Sequence, residues 1–126
     1  MSLRFWIPPF FWAALIFAGS SIQHPPTPNV PGVPMDKVAH ATEYGIFGAL
    51  LFRGFHRGAQ LPLANSVILT AFFAMAYGFS DETHQFFVGR DCEWGDVVAD
   101  SVGGALGAFV TAFYQARIKR RIELST

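Results

Sequence analysis

Carboxylate and imidazole side chains recur at helical spacing in three segments of this 126-residue chain. In the first segment, Asp36, His40 and Glu43 are spaced so that a helix would place all three on one face. An imidazole and two carboxylates on one face can transfer protons or offer nitrogen and oxygen ligands to a cation. Their spacing is not that of a recognised zinc motif such as H-E-x-x-H, so the pattern indicates a class of chemistry and not a particular metal.

The second segment places small and polar residues on one stripe. Ala74, Gly78, Asp81 and Gln85 recur at intervals of three or four residues, and Glu82 is adjacent to them. In a helix, this spacing directs the four side chains towards the same neighbour. We therefore expect the carboxylates of this segment to meet polar groups of another helix.

The third segment combines carboxylates with glycines. Asp96, Asp100, Gly104 and Gly107 follow one another at intervals of three or four residues. Small residues let a second helix approach closely in membrane proteins. The face that carries the two carboxylates is therefore expected to point towards another helix and away from lipid.

Long apolar stretches are the elements that must position these residues. The chain is 52% hydrophobic and only 14% charged, whereas soluble domains average about 25% charged residues. Four stretches meet or approach the roughly 20 apolar residues that a membrane-spanning helix needs. We predict an all-α, integral membrane four-helix bundle that forms one domain over residues 1–126, with helices at about 5–22, 38–55, 63–85 and 97–116. For the first stretch, Arg4, the apolar run and Ala18-Gly19-Ser20 also fit a cleaved signal peptide.

The net charge of zero conceals a polarised distribution of charge. Seven of the nine basic residues lie near the termini or between the second and third predicted helices: Arg4, Arg53, Arg57, Arg117, Lys119, Arg120 and Arg121. The positive-inside rule then predicts that both termini are cytoplasmic. Eight of the nine acidic residues lie towards the opposite side.

A neutral chain of pI about 6.9 lacks the basic surface of a nucleic-acid-binding protein. The single Cys92 excludes an intramolecular disulfide or a cysteine zinc cage.

Two interpretations of the ionisable cluster remain open. The side chains can form a hydrogen-bonded network that holds three helices together, or they can form a site that binds or transforms a ligand. The catalytic candidates are His40, Glu43, Asp81, Glu82 and Asp100. A divalent metal is the one cofactor that the residue types suggest, with His40, Glu43 and Asp81 as its candidate ligands and Glu82 and His84 as further donors that could complete the shell.

Four motifs taken together resemble the VanZ-like family. The motifs are DKVAHATEY at residues 36–44, SDETHQFF at 80–87, Gly89-Arg90, and DVVADSVGG at 96–104. The resemblance covers about residues 36–110, and within it His84 occupies a variable position. Besides the catalytic candidates, the resemblance singles out six residues as candidates for binding: Asp36, Lys37, Tyr44, Gln85, Arg90 and Asp96.

The resemblance implies a small polytopic protein of the bacterial cytoplasmic (inner) membrane. The namesake of the family is associated with low-level resistance to teicoplanin, which implies an envelope accessory or binding role, with the lipid bilayer and a lipid-linked precursor or glycopeptide as partners. A membrane enzyme that performs metal-assisted or acid/base chemistry on a lipid-linked envelope substrate is the alternative, so enzymatic activity is left open. An ion-coupled transporter would require an oligomer, because the polar groups lie at only one end of the predicted helices.

Overall fold

Four α-helices and no strand make up the part of the chain that the computed structural model describes, residues 2–23, 28 and 30–125. The helices are α1 (Ile7–Ser20), α2 (Met35–Arg53), α3 (Leu63–Phe87) and α4 (Trp94–Glu123). A short 3₁₀ helix, Leu3–Phe5, precedes α1, and a π-helical turn, Gly54–Gly58, follows α2. The all-α prediction is confirmed.

The ends of the helices follow from local chemistry. Pro8 and Pro9 lie in the first turn of α1, where a missing N–H removes no helical hydrogen bond. The fourth helix ends at Glu123, beyond the expected 116, because Arg117–Arg121 continue it. Lysine and arginine are good helix formers and interact favourably with a helix C-terminus. A basic stretch can therefore end a membrane span without ending the helix.

Within the described residues, three segments are long and apolar enough to cross a membrane: Leu3–Ser20, Leu63–Phe87 and Trp94–Glu123. The remaining helix, α2, carries four charged residues among its 19, namely Asp36, Lys37, Glu43 and Arg53. The outer surface is apolar, since Phe10, Phe72, Phe109 and Phe113 are each more than half exposed. Polar groups inside and large apolar groups outside indicate that the surroundings of the bundle are lipid.

Glycines bring the backbones of α2 and α4 into contact. A Cβ atom on Gly48 would collide with the carbonyl of Gly104, and one on Gly107 would collide with the carbonyl of Gly45. Backbone contact of this kind is typical of helix pairs in membranes, where small residues replace large apolar ones at the interface. Because Gly104 and Gly107 share a helix face with Asp96 and Asp100, the same contact directs the α4 carboxylates into the bundle.

The first helix contacts the others less extensively and leaves a groove. The Trp12 Nε1–H donates to the Glu43 carbonyl at 2.9 Å, and the Tyr77 hydroxyl donates to the Ala13 carbonyl at 2.7 Å. Between these contacts and the N-terminus lies an apolar cavity of about 470 Å³, bounded by residues of α1, α2 and α3 that include Phe47 and Phe73. The apolar surface of the bundle therefore continues inward between α1, α2 and α3.

Candidate functional site

A polar cluster lies where α2 begins, α3 ends and α4 begins. Seven of the residues that the sequence singles out are buried there: His40, Tyr44, Asp81, Glu82, Gln85, Asp96 and Asp100. Asp36, Lys37 and Arg90 are partly exposed, and Glu43 is exposed. Three helices thus contribute ionisable side chains to one end of the bundle.

His40 and Asp100 form the central pair. The Nδ1 atom of His40 lies 2.9 Å from Oδ1 of Asp100, and the residues are 7% and 0% exposed, respectively. The third helix makes room for the pair, because a Cβ atom on Gly78 would lie 2.9 Å from Oδ2 of Asp100. That Oδ2 atom is buried and has no hydrogen-bond partner within the described residues. Only half of the Asp100 carboxylate is therefore satisfied.

Lys37 compensates the acidic residues nearest the start of α2. Its Nζ atom lies 2.6 Å from Oε2 of Glu93, 2.6 Å from Oδ1 of Asp96 and 3.7 Å from Oδ2 of Asp36. The hydrogen bond from Lys37 holds the pKa of the Glu93 carboxyl below its usual range. This lysine therefore connects α2 to the start of α4 and neutralises charge at the rim of the cluster.

Asp81 is held by two side chains, one of which sequence reasoning missed. The Ser20 hydroxyl donates to Oδ1 of Asp81, and the Gln85 Nε2 donates to Oδ2 at 3.1 Å. Ser20 is buried at the end of α1. The available signal was its position, since Ser20 ends the apolar run at the side where the acidic residues gather. A single serine is too common for that position alone to have identified it.

Glu82 has one satisfied oxygen. Oε2 accepts the backbone N–H of Glu93 at 3.1 Å, while Oε1 is buried without a partner in the described part of the chain. The Gln85 Oε1 and the Tyr44 hydroxyl are also buried without a hydrogen-bond partner among the described residues. Buried polar groups are nearly always hydrogen-bonded in folded proteins. Together with Oδ2 of Asp100, these atoms come from α2, α3 and α4, so each of the three helices carries a buried polar atom that has no hydrogen-bond partner among the described residues.

Among the described residues, two groups of side chains have the geometry to hold a cation. The ligand atoms of His40, Glu82 and Asp100 all lie within 4.8 Å of one another, as do those of Asp36, His40 and Asp96. Of the three candidate ligands predicted from the sequence, only His40 belongs to these groups; of the two further donors, Glu82 belongs to one of them. Glu43 is exposed, and the oxygens of Asp81 accept hydrogen bonds from Ser20 and Gln85.

The remaining candidates lie at the edge of the cluster. The Arg90 backbone N–H donates to the Gln85 carbonyl at 2.9 Å, and its charge lies close enough to Glu43 for the two to interact electrostatically. His84 stacks on Phe17 with ring centroids 4.3 Å apart, so its ring contacts α1. A recess of about 230 Å³ between α3 and α4, bounded by apolar side chains and Cys92, reaches Glu82 from outside.

An all-helical chain with an apolar exterior and a buried polar cluster at one end is a polytopic membrane protein. The family model described as VanZ/LLP1 matches residues 4–115, which include all four helices up to the basic end of α4, and the chain belongs to this VanZ-like family. No curated protein and no solved structure matches the chain.

Proposed function

We propose that this chain is a bacterial inner-membrane protein whose outward-facing polar site binds a ligand of the cell envelope. Its role is that of an accessory or binding protein linked to glycopeptide (teicoplanin-type) resistance or to the handling of envelope lipids. The observation that carries the proposal is that four buried polar atoms of the cluster have neither a hydrogen-bond nor an ion-pair partner among the described residues: Tyr44 Oη, Glu82 Oε1, Gln85 Oε1 and Asp100 Oδ2.

A purely structural network would satisfy its own groups. Each buried polar atom left unpaired costs about 1–3 kcal/mol, so a cluster that only held helices together would be expected to pair these atoms or to replace them with apolar ones. The structural contacts are already supplied by Lys37 with Asp96 and by Ser20 with Asp81. We therefore interpret the unpaired atoms as groups that bind a ligand and not as parts of a purely structural network.

Access to the site supports the same proposal. The recess between α3 and α4 ends at Glu82, and its other walls include Phe86, Phe87 and Trp94. A ligand with an apolar part and a polar or cationic head would fit such walls. Arg90, which is partly exposed at the edge of the cluster, supplies positive charge for a phosphate of a lipid-linked precursor, whereas Lys37 is already paired with Glu93 and Asp96.

The test is a susceptibility assay with variants of the cluster. We expect expression of the wild-type chain in a susceptible host to raise the minimum inhibitory concentration of teicoplanin. Asp100→Asn and Glu43→Gln should return it to the vector level while the variant proteins remain in the membrane fraction. Asp91→Asn, which removes a carboxylate from an exposed loop position, is the matched control and should behave as wild type. Full resistance in Asp100→Asn would contradict a functional role for the cluster.

A membrane enzyme acting on a lipid-linked substrate is the second candidate, and the apolar cavity favours it. The cavity extends from Trp6 to Ser80, one residue before Asp81, so an acyl chain within it would end beside the cluster. The His40–Asp100 pair could then serve in acid/base chemistry. Incubation of the purified protein with an undecaprenyl-linked substrate, followed by mass spectrometry, tests this candidate; it fails if no product forms or if His40→Ala forms as much product as wild type.

A further inference from the structure

One side chain from each of three helices meets at the centre of the cluster. His40 comes from α2, Glu82 from α3 and Asp100 from α4, and their ligand atoms lie within 4.8 Å of one another. The three residues are 7%, 1% and 0% exposed, respectively. Such a group is not a set of surface acids that happen to be adjacent, because water is excluded from all three.

Within the described residues, no lysine or arginine forms an ion pair with Glu82 or Asp100. The Nζ atom of Lys37, which lies at the rim of the cluster, forms ion pairs with Glu93 and Asp96 instead. Two carboxylates and one imidazole leave a net negative charge whether or not His40 is protonated. An uncompensated buried charge is strongly destabilising, so the group requires a cation or additional protons.

Two atoms of the group point to a cation. Oε1 of Glu82 and Oδ2 of Asp100 are buried and have no hydrogen-bond partner in the described residues. A carboxylic acid in either place would need an acceptor for its proton, whereas a metal ion needs only the lone pairs that these oxygens present. The competing group of Asp36, His40 and Asp96 is less suitable, because Lys37 lies 2.6 Å from Oδ1 of Asp96.

We propose that His40, Glu82 and Asp100 bind one divalent cation of the Zn²⁺ or Mn²⁺ class. One imidazole nitrogen with two carboxylate oxygens is a donor set that such ions accept, whereas Mg²⁺ and Ca²⁺ favour ligand sets made of oxygen alone. The cation would hold α2, α3 and α4 together at the outer end of the bundle and leave coordination positions for a ligand from the recess at Glu82. The inference rests on the proposed function, whose binding site it assigns to a metal.

The direct test is metal analysis of the full chain purified in detergent. After removal of metal with a chelator and incubation with Zn²⁺ or Mn²⁺, we expect about one ion per chain by elemental analysis. The bound ion should raise Tm by roughly 5 °C or more at saturating concentration, and Mg²⁺ should not reproduce the shift. Absence of a stoichiometric ion, or an equal shift with Mg²⁺, would overturn the proposal.

Variants locate the ion. Glu82→Gln and Asp100→Asn keep the shape of the side chain and remove an uncompensated buried charge, so both should fold without metal. Each should weaken metal binding by more than about 100-fold, since loss of a supporting hydrogen bond alone costs roughly 10–100-fold. Asp91→Asn should bind as wild type does. Unchanged metal binding in both cluster variants would overturn the assignment.

The two proposals fail in different experiments. If Asp100→Asn loses the teicoplanin phenotype while the wild-type protein binds no metal, the site acts in the envelope without a cation. If the wild type binds metal at His40, Glu82 and Asp100 while the variants keep the phenotype, the metal inference stands and the proposed function is wrong.

Discussion

The carboxylates of the polar cluster differ in how their charges are compensated. Asp96 has Lys37, and Asp100 has His40 on one of its two oxygens. Glu82 receives a single backbone N–H, from Glu93, and no side-chain cation within the described residues. Because Glu82 is only 1% exposed, it is the residue at which a bound ion or ligand would change the energetics most.

Cys92 offers a built-in reporter for the charge of Glu82. Partial desolvation and the nearby Glu82 carboxylate raise the pKa of this exposed thiol. A raised pKa leaves less thiolate, which is the form that reacts with alkylating agents. Glu82→Gln should therefore lower the pKa of Cys92 and speed its reaction with iodoacetamide near pH 8 by about twofold or more.

Glu123→Gln is the control for this measurement, because it removes a carboxylate at the other end of α4. It should leave the alkylation rate of Cys92 unchanged. Equal rates for wild type and Glu82→Gln would show that the Glu82 carboxylate does not influence the thiol.

At the scale of elements, the glycine contact between α2 and α4 determines where the carboxylates of α4 point. The backbones of the two helices touch at Gly45, Gly48, Gly104 and Gly107. A wider interhelical distance would move Asp100 away from His40. The site therefore depends on residues that carry no chemistry of their own.

Gly48→Ala should separate the two helices, because its Cβ atom would collide with the Gly104 carbonyl and cannot move away from backbone. Overpacking of this kind costs typically about 1–3 kcal/mol, and we expect a lower Tm in detergent. Gly19→Ala is the matched control, since Gly19 lies in α1 with nothing within 4 Å of the added Cβ. It should leave Tm unchanged or slightly higher, because alanine is the better helix former. A Gly48→Ala protein as stable as Gly19→Ala would contradict the close contact.

At the scale of the whole molecule, the bundle has an apolar exterior, a polar cluster at one end and basic residues at the other. The apolar exterior suits lipid, and the basic end suits the cytoplasmic side of a membrane. With an even number of membrane spans, both termini would lie on the basic side and Cys92 would lie on the side of the polar cluster. This topology is a prediction from the charge distribution.

Cysteine labelling tests the topology. In spheroplasts, a membrane-impermeant maleimide should label the native Cys92. In a chain carrying Cys92→Ala and Ser125→Cys, labelling should occur only after the membrane is permeabilised. The reverse pattern, with Ser125→Cys labelled in intact spheroplasts and Cys92 protected, would invert the predicted orientation and place the polar cluster in the cytoplasm.

The class of fold and the helices that carry the site were predictable because the signals are local. Apolar runs and helical spacing depend only on the order of residues, and they placed His40, Asp81 and Asp100 on helices that the structure contains; α2 begins at Met35, before the predicted 38, and so includes Asp36 as well. The resemblance of the four motifs to the VanZ-like family was also readable from the sequence, and the family match over residues 4–115 confirms the family. A four-residue interval defines a helix face whatever that face contacts.

The pairing of side chains was not predictable, because it depends on the rotation and separation of whole helices. The sequence proposed His40, Glu43 and Asp81 as metal ligands, whereas the structure groups His40 with Glu82 and Asp100. A helix rotation of one residue, about 100°, decides whether Asp81 or the adjacent Glu82 points at His40. The sequence by itself therefore determined the helices and the supply of polar residues. The tertiary structure decided which oxygens are paired and which have no partner among the described residues, because glycine contacts between helices set distances that no local pattern encodes.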